Sequence, residues 1–297
     1  MQRFRLFYLF VLLPLGCSHS QIPTFDAERA FGFLETQVNL GPRIPGSEGS
    51  VKCADFMAGR LRNAGAQVVK QPFPFSNPLT GETVTAVNVI GSFGSQKHRI
   101  LLCAHFDTRP WADEDPDPSK QRLPVPGAND GASGVAVLLE LAEQFKIYPP
   151  PLGVDVVFFD AEDSGVEGMN DTWCQGSRYF VRNPVVPNMP EYAVLLDMIG
   201  DRDLRIPIEG FSNHYAPKLV DKIWKRAEML GLAPFTRQTG GYVVDDHLEL
   251  MKAGIRAVDM IDFDYPYWHT VEDLPDKCSA ESLAASGELL LSLIYEP

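Results

Sequence analysis

The sequence predicts an α/β protein: a single domain with a mixed, mostly parallel central sheet flanked by helices. Three observations carry that expectation. Short apolar runs alternate with helical stretches along the chain, as strands and helices do when they share a layered sheet. Most of the runs are apolar at nearly every position, which suits strands covered on both faces. No Pro/Gly-rich or low-complexity linker divides the 297 residues, a length that suits one large domain. Hydrophobic residues make up 45% and charged residues 22%, an ordinary globular balance that can bury a sizeable core.

Taken in order, the chain starts with export chemistry. Arg3 and Arg5 form a short basic region, and Leu6 to Leu15 form an apolar run too short to span a bilayer. Gly16-Cys17-Ser18 then supplies a junction of the bacterial lipoprotein kind, with Pro14 where that pattern usually has an aliphatic residue. Residues 1–17 are therefore expected to be a signal peptide ending at a lipid-modified Cys17, with a plain secretory signal as the alternative. Residues 18–24 are a short tether, and 25–297 the folded domain. The expected location is the periplasm or cell envelope, with the membrane contacted through the lipid.

Helical patterns follow at about Asp26–Val38 and Ser50–Asn63, the second stopped by Gly65. Thr83–Ile90 alternates like a half-buried strand. Ile100–Ala104, Val154–Phe159, Ala193–Leu196 and Ala257–Ile261 are the buried strands. Between and after them lie helices at Gly134–Phe145, Pro217–Leu230, Leu248–Lys252 and Ser279–Tyr295, with Gly231 and Gly254 closing two of them. Thr108–Asn129 contains five prolines and no apolar period, so it is a long loop beside the site. Its acids lack the EF-hand pattern for calcium, and the reading preferred is a solvated loop. Cys53, Cys103, Cys174 and Cys278 allow three pairings that sequence cannot choose between.

The net charge of −13 opposes nucleic acid, and no basic patch interleaved with aromatics offsets it. A cationic peptide α-amine is compatible with that sign.

The chemistry sits where the buried strands end. Ile100–Ala104 runs into His105-Phe106-Asp107, and Val154–Phe159 into Asp160-Ala161-Glu162-Asp163. Ala193–Leu196 runs into Asp197, and Ala257–Ile261 into Asp262, Asp264 and then His269. Ligands of open α/β sheets bind beyond the carboxyl ends of the strands. Carboxylates gathered there repel one another, and a divalent cation removes that penalty; Asp/Glu oxygens with a His nitrogen suit zinc. Asp130, in PGANDGASG ahead of an apolar helix, is either an N-cap or a further ligand.

HFDTRP, PGANDGASG, FFDAED, LLDMIG, GYVVDDH and YWHT occur in the order, and at roughly the spacing, of the zinc aminopeptidase-like superfamily. They look closest to its animal-type glutaminyl-peptide cyclotransferase branch, which includes exported bacterial lipoproteins. The match runs from about Phe25 to Tyr295. The resemblance implies a zinc-exopeptidase-like fold and one Zn²⁺ held by Asp130, Asp163 and His269. It implies Glu162 as general acid/base, and Asp197 and Asp245 as a hydrogen-bonded pair that orients the substrate nitrogen. Trp268 and Tyr265 would wall the pocket. Many members have Glu where Asp163 stands. The implied reaction is cyclisation of N-terminal glutamine of peptides or proteins to pyroglutamate, with release of ammonia. The alternative is a two-zinc aminopeptidase in which Asp130 bridges and His105 and Asp197 complete a second site. A third possibility is a peptide-binding protein on a degenerate hydrolase scaffold. Trp173 aligns too poorly to assign, and His247 either supports the acid network or is structural.

Overall fold

The computed structural model describes residues 23–296. The expected signal peptide, Cys17 and most of the tether lie outside the described residues.

Among the described residues, eight strands and eight α-helices are interspersed along the chain. The first part contains α1 (Ala27–Asn39), α2 (Glu48–Asn63), β1 (Gln67–Ser76), β2 (Thr83–Phe93) and β3 (Arg99–His105). The middle contains α3 (Ala132–Ile147), β4 (Gly153–Phe159), α4 (Gln175–Arg182), β5 (Ala193–Asp197) and β6 (Ile206–Ile208). The last part contains α5 (Gly210–Tyr215), α6 (Pro217–Leu230), β7 (Phe235–Thr239), α7 (Asp246–Lys252), β8 (Ala257–Ile261) and α8 (Ala280–Tyr295).

Six strands form one sheet in the order β1-β2-β4-β3-β5-β8. The four inner and C-terminal strands β4, β3, β5 and β8 run parallel, while β1 and β2 pair antiparallel at one side. This is the mixed, mostly parallel sheet expected. Strand periodicity explains the continuous apolar runs. Ile100, Leu102, Ala104, Val156 and Phe158 enter the large core under α1, α2, α3 and α8, whereas Leu101, Cys103, Val157 and Phe159 enter a smaller core under α4 and α7. The central strands feed two cores, so most of their positions are apolar, and two exceptions, Arg99 and Asp155, pair with each other.

Helix boundaries follow their caps. The Asp26 side chain accepts from the Arg29 amide at 3.0 Å, which starts α1, and Ser47 does the same for Ser50 at 3.1 Å in α2. The helix expected from Leu248 starts at Asp246, because the Asp245 carboxylate caps it. Gly231 ends α6 at φ 70°, the left-handed conformation glycine takes without steric cost. His214 lies exposed in the last turn of α5.

At the sheet end away from the strand-end acids, Arg99 and Asp155 are both buried and form a two-pronged pair at 2.8 and 2.7 Å. Asp155 Oδ1 also accepts from the Ser92 hydroxyl at 2.6 Å. The loop between Thr108 and Asn129 is solvated over its middle, where residues 116–119 are exposed, and packed inward at its ends. Ala112, Val125 and Ala128 are fully buried, and Asp115 is buried while accepting from the amides of Asp117 and Val271. These inward contacts account for Asp115, whereas Glu114 and Asp117 are exposed. The four cysteines within the described residues are buried and unpaired, and no helix among those residues is long and apolar enough to cross a membrane.

Candidate metal centre

The chain leaves β3 to form β4 on one side of it and β5 on the other, so a crevice opens at the carboxyl ends of these strands. A cavity of about 490 Å³ occupies it. Asp130, Glu162, Asp163, Asp197, Asp245 and His269 line its floor. Trp268 and Trp173 form part of the wall.

Close packing brings the floor together. A β-carbon at Gly134 would stand 2.3 Å from the Leu196 carbonyl oxygen, so only glycine lets α3 sit against the end of β5. That places Asp130, just before α3, beside His105 and Asp197. The His105 Nε2 lies 3.0 Å from Asp130 Oδ1 and 3.2 Å from Asp197 Oδ1. On the other side His269 Nε2 lies 3.0 Å from Asp163 Oδ1 and 3.8 Å from Asp130 Oδ2. Ligand atoms of Asp130, Asp163 and His269 all fall within 4.8 Å of one another, as do those of His105, Asp130 and Asp197. Asp130 is not an N-cap. Gly131 takes the cap position of α3 without a side-chain bond.

Two further carboxylates, Asp273 and the strand-end Asp107, hold this floor in place. Asp273 accepts from the amides of Asn129 and Asp130 at 2.8 and 3.1 Å and from the Tyr265 hydroxyl at 2.7 Å. Asp107 accepts from the amides of Glu162 and Asp163, both at 3.1 Å. Tyr265 is buried beneath the site rather than exposed in the pocket wall, because its hydroxyl is committed to Asp273. Asp197 and Asp245 both line the cavity, and the charge of Asp197 reaches Asp245. Asp245 Oδ1 accepts from the Asp246 amide at 2.5 Å, and its Oδ2 is buried without a partner. His247 is fully buried between Glu209 at 3.3 Å and Asp259 at 3.6 Å, behind the acids of the floor.

Four non-glycine residues among those described have positive φ: Ala161, Cys174, Met198 and His269. Each either belongs to the site or adjoins it. Ala161 precedes Glu162, Met198 follows Asp197, and the Cys174 thiol lies 3.3 Å from Glu162 Oε1. Backbone held in the left-handed region collects at functional sites.

The electrostatics are those of crowded, buried anions. Burial, and then the charge of Asp245, raises the Glu162 carboxyl well above the ordinary range. Burial, and then the charge of Asp197, raises Asp245 to about 7. Burial also raises Asp163 and Asp197. It works against ionisation of Asp130 too, but the hydrogen bond and charge of His105 prevail and hold that carboxyl below its usual value. Burial disfavours charged His269, yet the Asp163 charge and the Asp113 hydrogen bond outweigh it and raise the imidazole to about 9.

The donor set fits zinc. Two Asp carboxylates and one imidazole are a catalytic-type ligand trio that leaves a position for substrate. Asp163 Oδ2 is buried with no hydrogen-bond partner, an unmet cost that a coordinated cation removes.

A model of peptidase family M28 matches residues 88–294. The chain belongs to that family. Among solved structures it is similar to a glutaminyl cyclase from Bacteroides thetaiotaomicron, crystallised with N-acetylhistamine. The TM-score is 0.90 and the identity 38%, over 93% of this chain and 100% of that one. It is likewise similar to the Tannerella forsythia glutaminyl cyclase, with TM-score 0.89 and 40% identity over 93% and 100%. An aminopeptidase of Bacillus subtilis is 27% identical over 88% of this chain but only 55% of its own length, so the chain spans about half of that relative. The expected resemblance to the cyclotransferase branch and the zinc-exopeptidase-like fold are thus found, and this M28 chain is an enzyme. Trp173, which the sequence could not place, belongs to the cavity wall, its ring parallel to that of His269 at 6.3 Å.

Proposed function

We propose that this M28 enzyme cyclises N-terminal glutamine of peptides or proteins to pyroglutamate and releases ammonia. The observation that carries the reading is Glu162, a buried carboxyl with no cationic partner, beside a zinc-type trio in a cavity with tryptophan in its wall. The likeness to two bacterial glutaminyl cyclases across nearly the whole described chain supports it.

Asp130, Asp163 and His269 would hold one Zn²⁺. Bound there, zinc supplies Lewis-acid polarisation of the substrate's γ-carboxamide. The α-amine of the peptide forms a bond to the γ-carboxamide carbon, the bond from that carbon to its nitrogen breaks, and ammonia departs. Glu162 takes the proton from the attacking amine and delivers it to the departing nitrogen. An α-amine titrates at about 7.7–8.0, so a sizeable neutral fraction is available without a strong base. Asp197 and Asp245 together orient the substrate nitrogen. Trp268 and Trp173 fold the glutamine side chain back and exclude water. Orientation of two groups already on one molecule supplies much of the rate.

Aminopeptidase activity is the second reading. His105, Asp130 and Asp197 are grouped tightly enough for a second ion, with Asp130 as the bridge. We also propose that residues 1–17 direct export and that Cys17 carries a lipid, so the enzyme meets peptide N-termini outside the cytoplasm. Incubation with a Gln-peptide and, separately, a Leu-peptide amide tests the activity. Ammonia from the first without cleavage of the second is the expected result. Cleavage of the leucine amide with no pyroglutamate formed would transfer the assignment to the aminopeptidase.

A further inference from the structure

Arg109 lies in the loop after β3 and is 2% exposed. Its guanidinium lies over two indoles, 4.9 Å from the Trp111 ring and 4.8 Å from that of Trp173. Nη1 donates to the main-chain oxygens of Asp163 at 3.1 Å and Gly165 at 2.8 Å. Nε and Nη2 form a fork with Asp113 at 3.0 and 2.5 Å. Asp113 Oδ1 in turn lies 3.4 Å from His269 Nδ1, and its Oδ2 accepts from Trp111 Nε1 at 3.2 Å. One side chain therefore grips the backbone of Asp163 directly and the ring of His269 through Asp113.

We propose that Arg109 is a positioning residue that sets the separation of Asp163 and His269, two metal ligands 106 residues apart in the chain. The inference rests on the reading of Asp130, Asp163 and His269 as a zinc site, and it holds whichever of the two reactions the enzyme performs. A metal-bound imidazole needs a partner on its other nitrogen to fix ring and tautomer, and Asp113 stands there. The guanidinium fork is the shorter, charged hold on Asp113 there, with Trp111 Nε1 adding a longer bond at 3.2 Å. Lysine could supply the charge but neither the planar fork nor the flat face that lies over two indoles.

The test is a zinc titration against a chromogenic chelator, with wild type, R109K and D113N, alongside melting curves of the zinc-free proteins. R109K is expected to bind zinc about 10–100-fold more weakly, the usual loss when an outer partner of a ligand is removed. D113N is expected to weaken binding by a similar factor. Because the two residues act in series, the double variant should lose no more than the weaker-binding single. R109K within about threefold of wild type overturns the proposal. Should R109K melt below the assay temperature, D113N carries the test, and near-wild-type affinity there overturns it equally. A wild type that takes up no zinc removes the zinc reading itself, an outcome distinct from failure of the clamp.

Discussion

Replacing Glu162 by Gln probes the chemistry with almost no change of shape. Glu162 is 8% exposed, its Oε1 accepts from the Cys174 thiol, and glutamine can keep that contact through its amide oxygen. What is lost is the proton shuttle, worth about 10²–10⁴ in rate, or about 2.7–5.4 kcal/mol of barrier. The structure places the expectation at the lower end. Asp245 has an oxygen within 4.8 Å of the Glu162 carboxylate and a pKa of about 7, so it can accept a proton in its stead. E162Q should thus lose about 10²-fold in kcat for ammonia release, and E162Q/D245N considerably more. Stability should move the opposite way. A carboxyl whose folded pKa is raised destabilises the fold once the unfolded chain ionises, and burial with the charge of Asp245 raises Glu162. Zinc-free E162Q should therefore melt higher than zinc-free wild type above about pH 5, with the gap closing below the ordinary carboxyl range near 4.3. Coupled ammonia assays and melting curves across pH read both. A kcat within threefold of wild type would remove Glu162 from the mechanism, and a lower melting temperature at neutral pH would refute the electrostatic account.

Other expectations concern the scaffold. Arg43, fully buried, donates to the main-chain oxygens of Phe106, Pro126 and Gly127. Arg43→Met would strand three buried carbonyls at about 1 kcal/mol or more each, so calorimetry should show a loss of about 3 kcal/mol or more, and an unchanged melting temperature would refute that role. At Gly131 a β-carbon would stand 2.6 Å from Cε1, Nε2 and the carbonyl oxygen of His105. Gly131→Ala should displace His105 and depress kcat at least tenfold, whereas full activity would show that His105 is free to move. Zinc affinity should rise with pH between 6 and 8, because uptake must displace the proton that Asp163 and Asp113 hold on His269 up to about pH 9. Chelator competition at fixed ionic strength would show this, and a flat profile would contradict it.

Much of this was legible in the sequence because the site lies where the pattern is strongest. Parallel strands buried on both faces write themselves as apolar runs, and the chain just beyond each run enters the crevice, so His105, Asp197 and, four residues past Phe159, Asp163 could be placed near one another. β1 went unassigned because Pro72 and Pro74 interrupt it, prolines that an edge strand tolerates where a central one cannot. The short pair β6 and β7 and the eight-residue α4 carry too few residues to show a period. Asp273, Asp107, Asp113, Arg109 and Arg43 act through contacts to main chain or to ligands far away in sequence. The Asp273 bond to the Asn129 amide, for example, spans 144 residues. Such residues look like loop acids and bases until the fold brings their partners to them. Tyr265 shows the converse: an aromatic beside a ligand motif reads as pocket wall, but its hydroxyl finds Asp273 and turns it under the floor.

The central claim is that Asp130, Asp163 and His269 share a single zinc ion. Zinc-edge anomalous diffraction from crystals grown with one equivalent of zinc tests it directly. One peak bonded to those three side chains is the expected result. A peak elsewhere, or none, would contradict the account at its root.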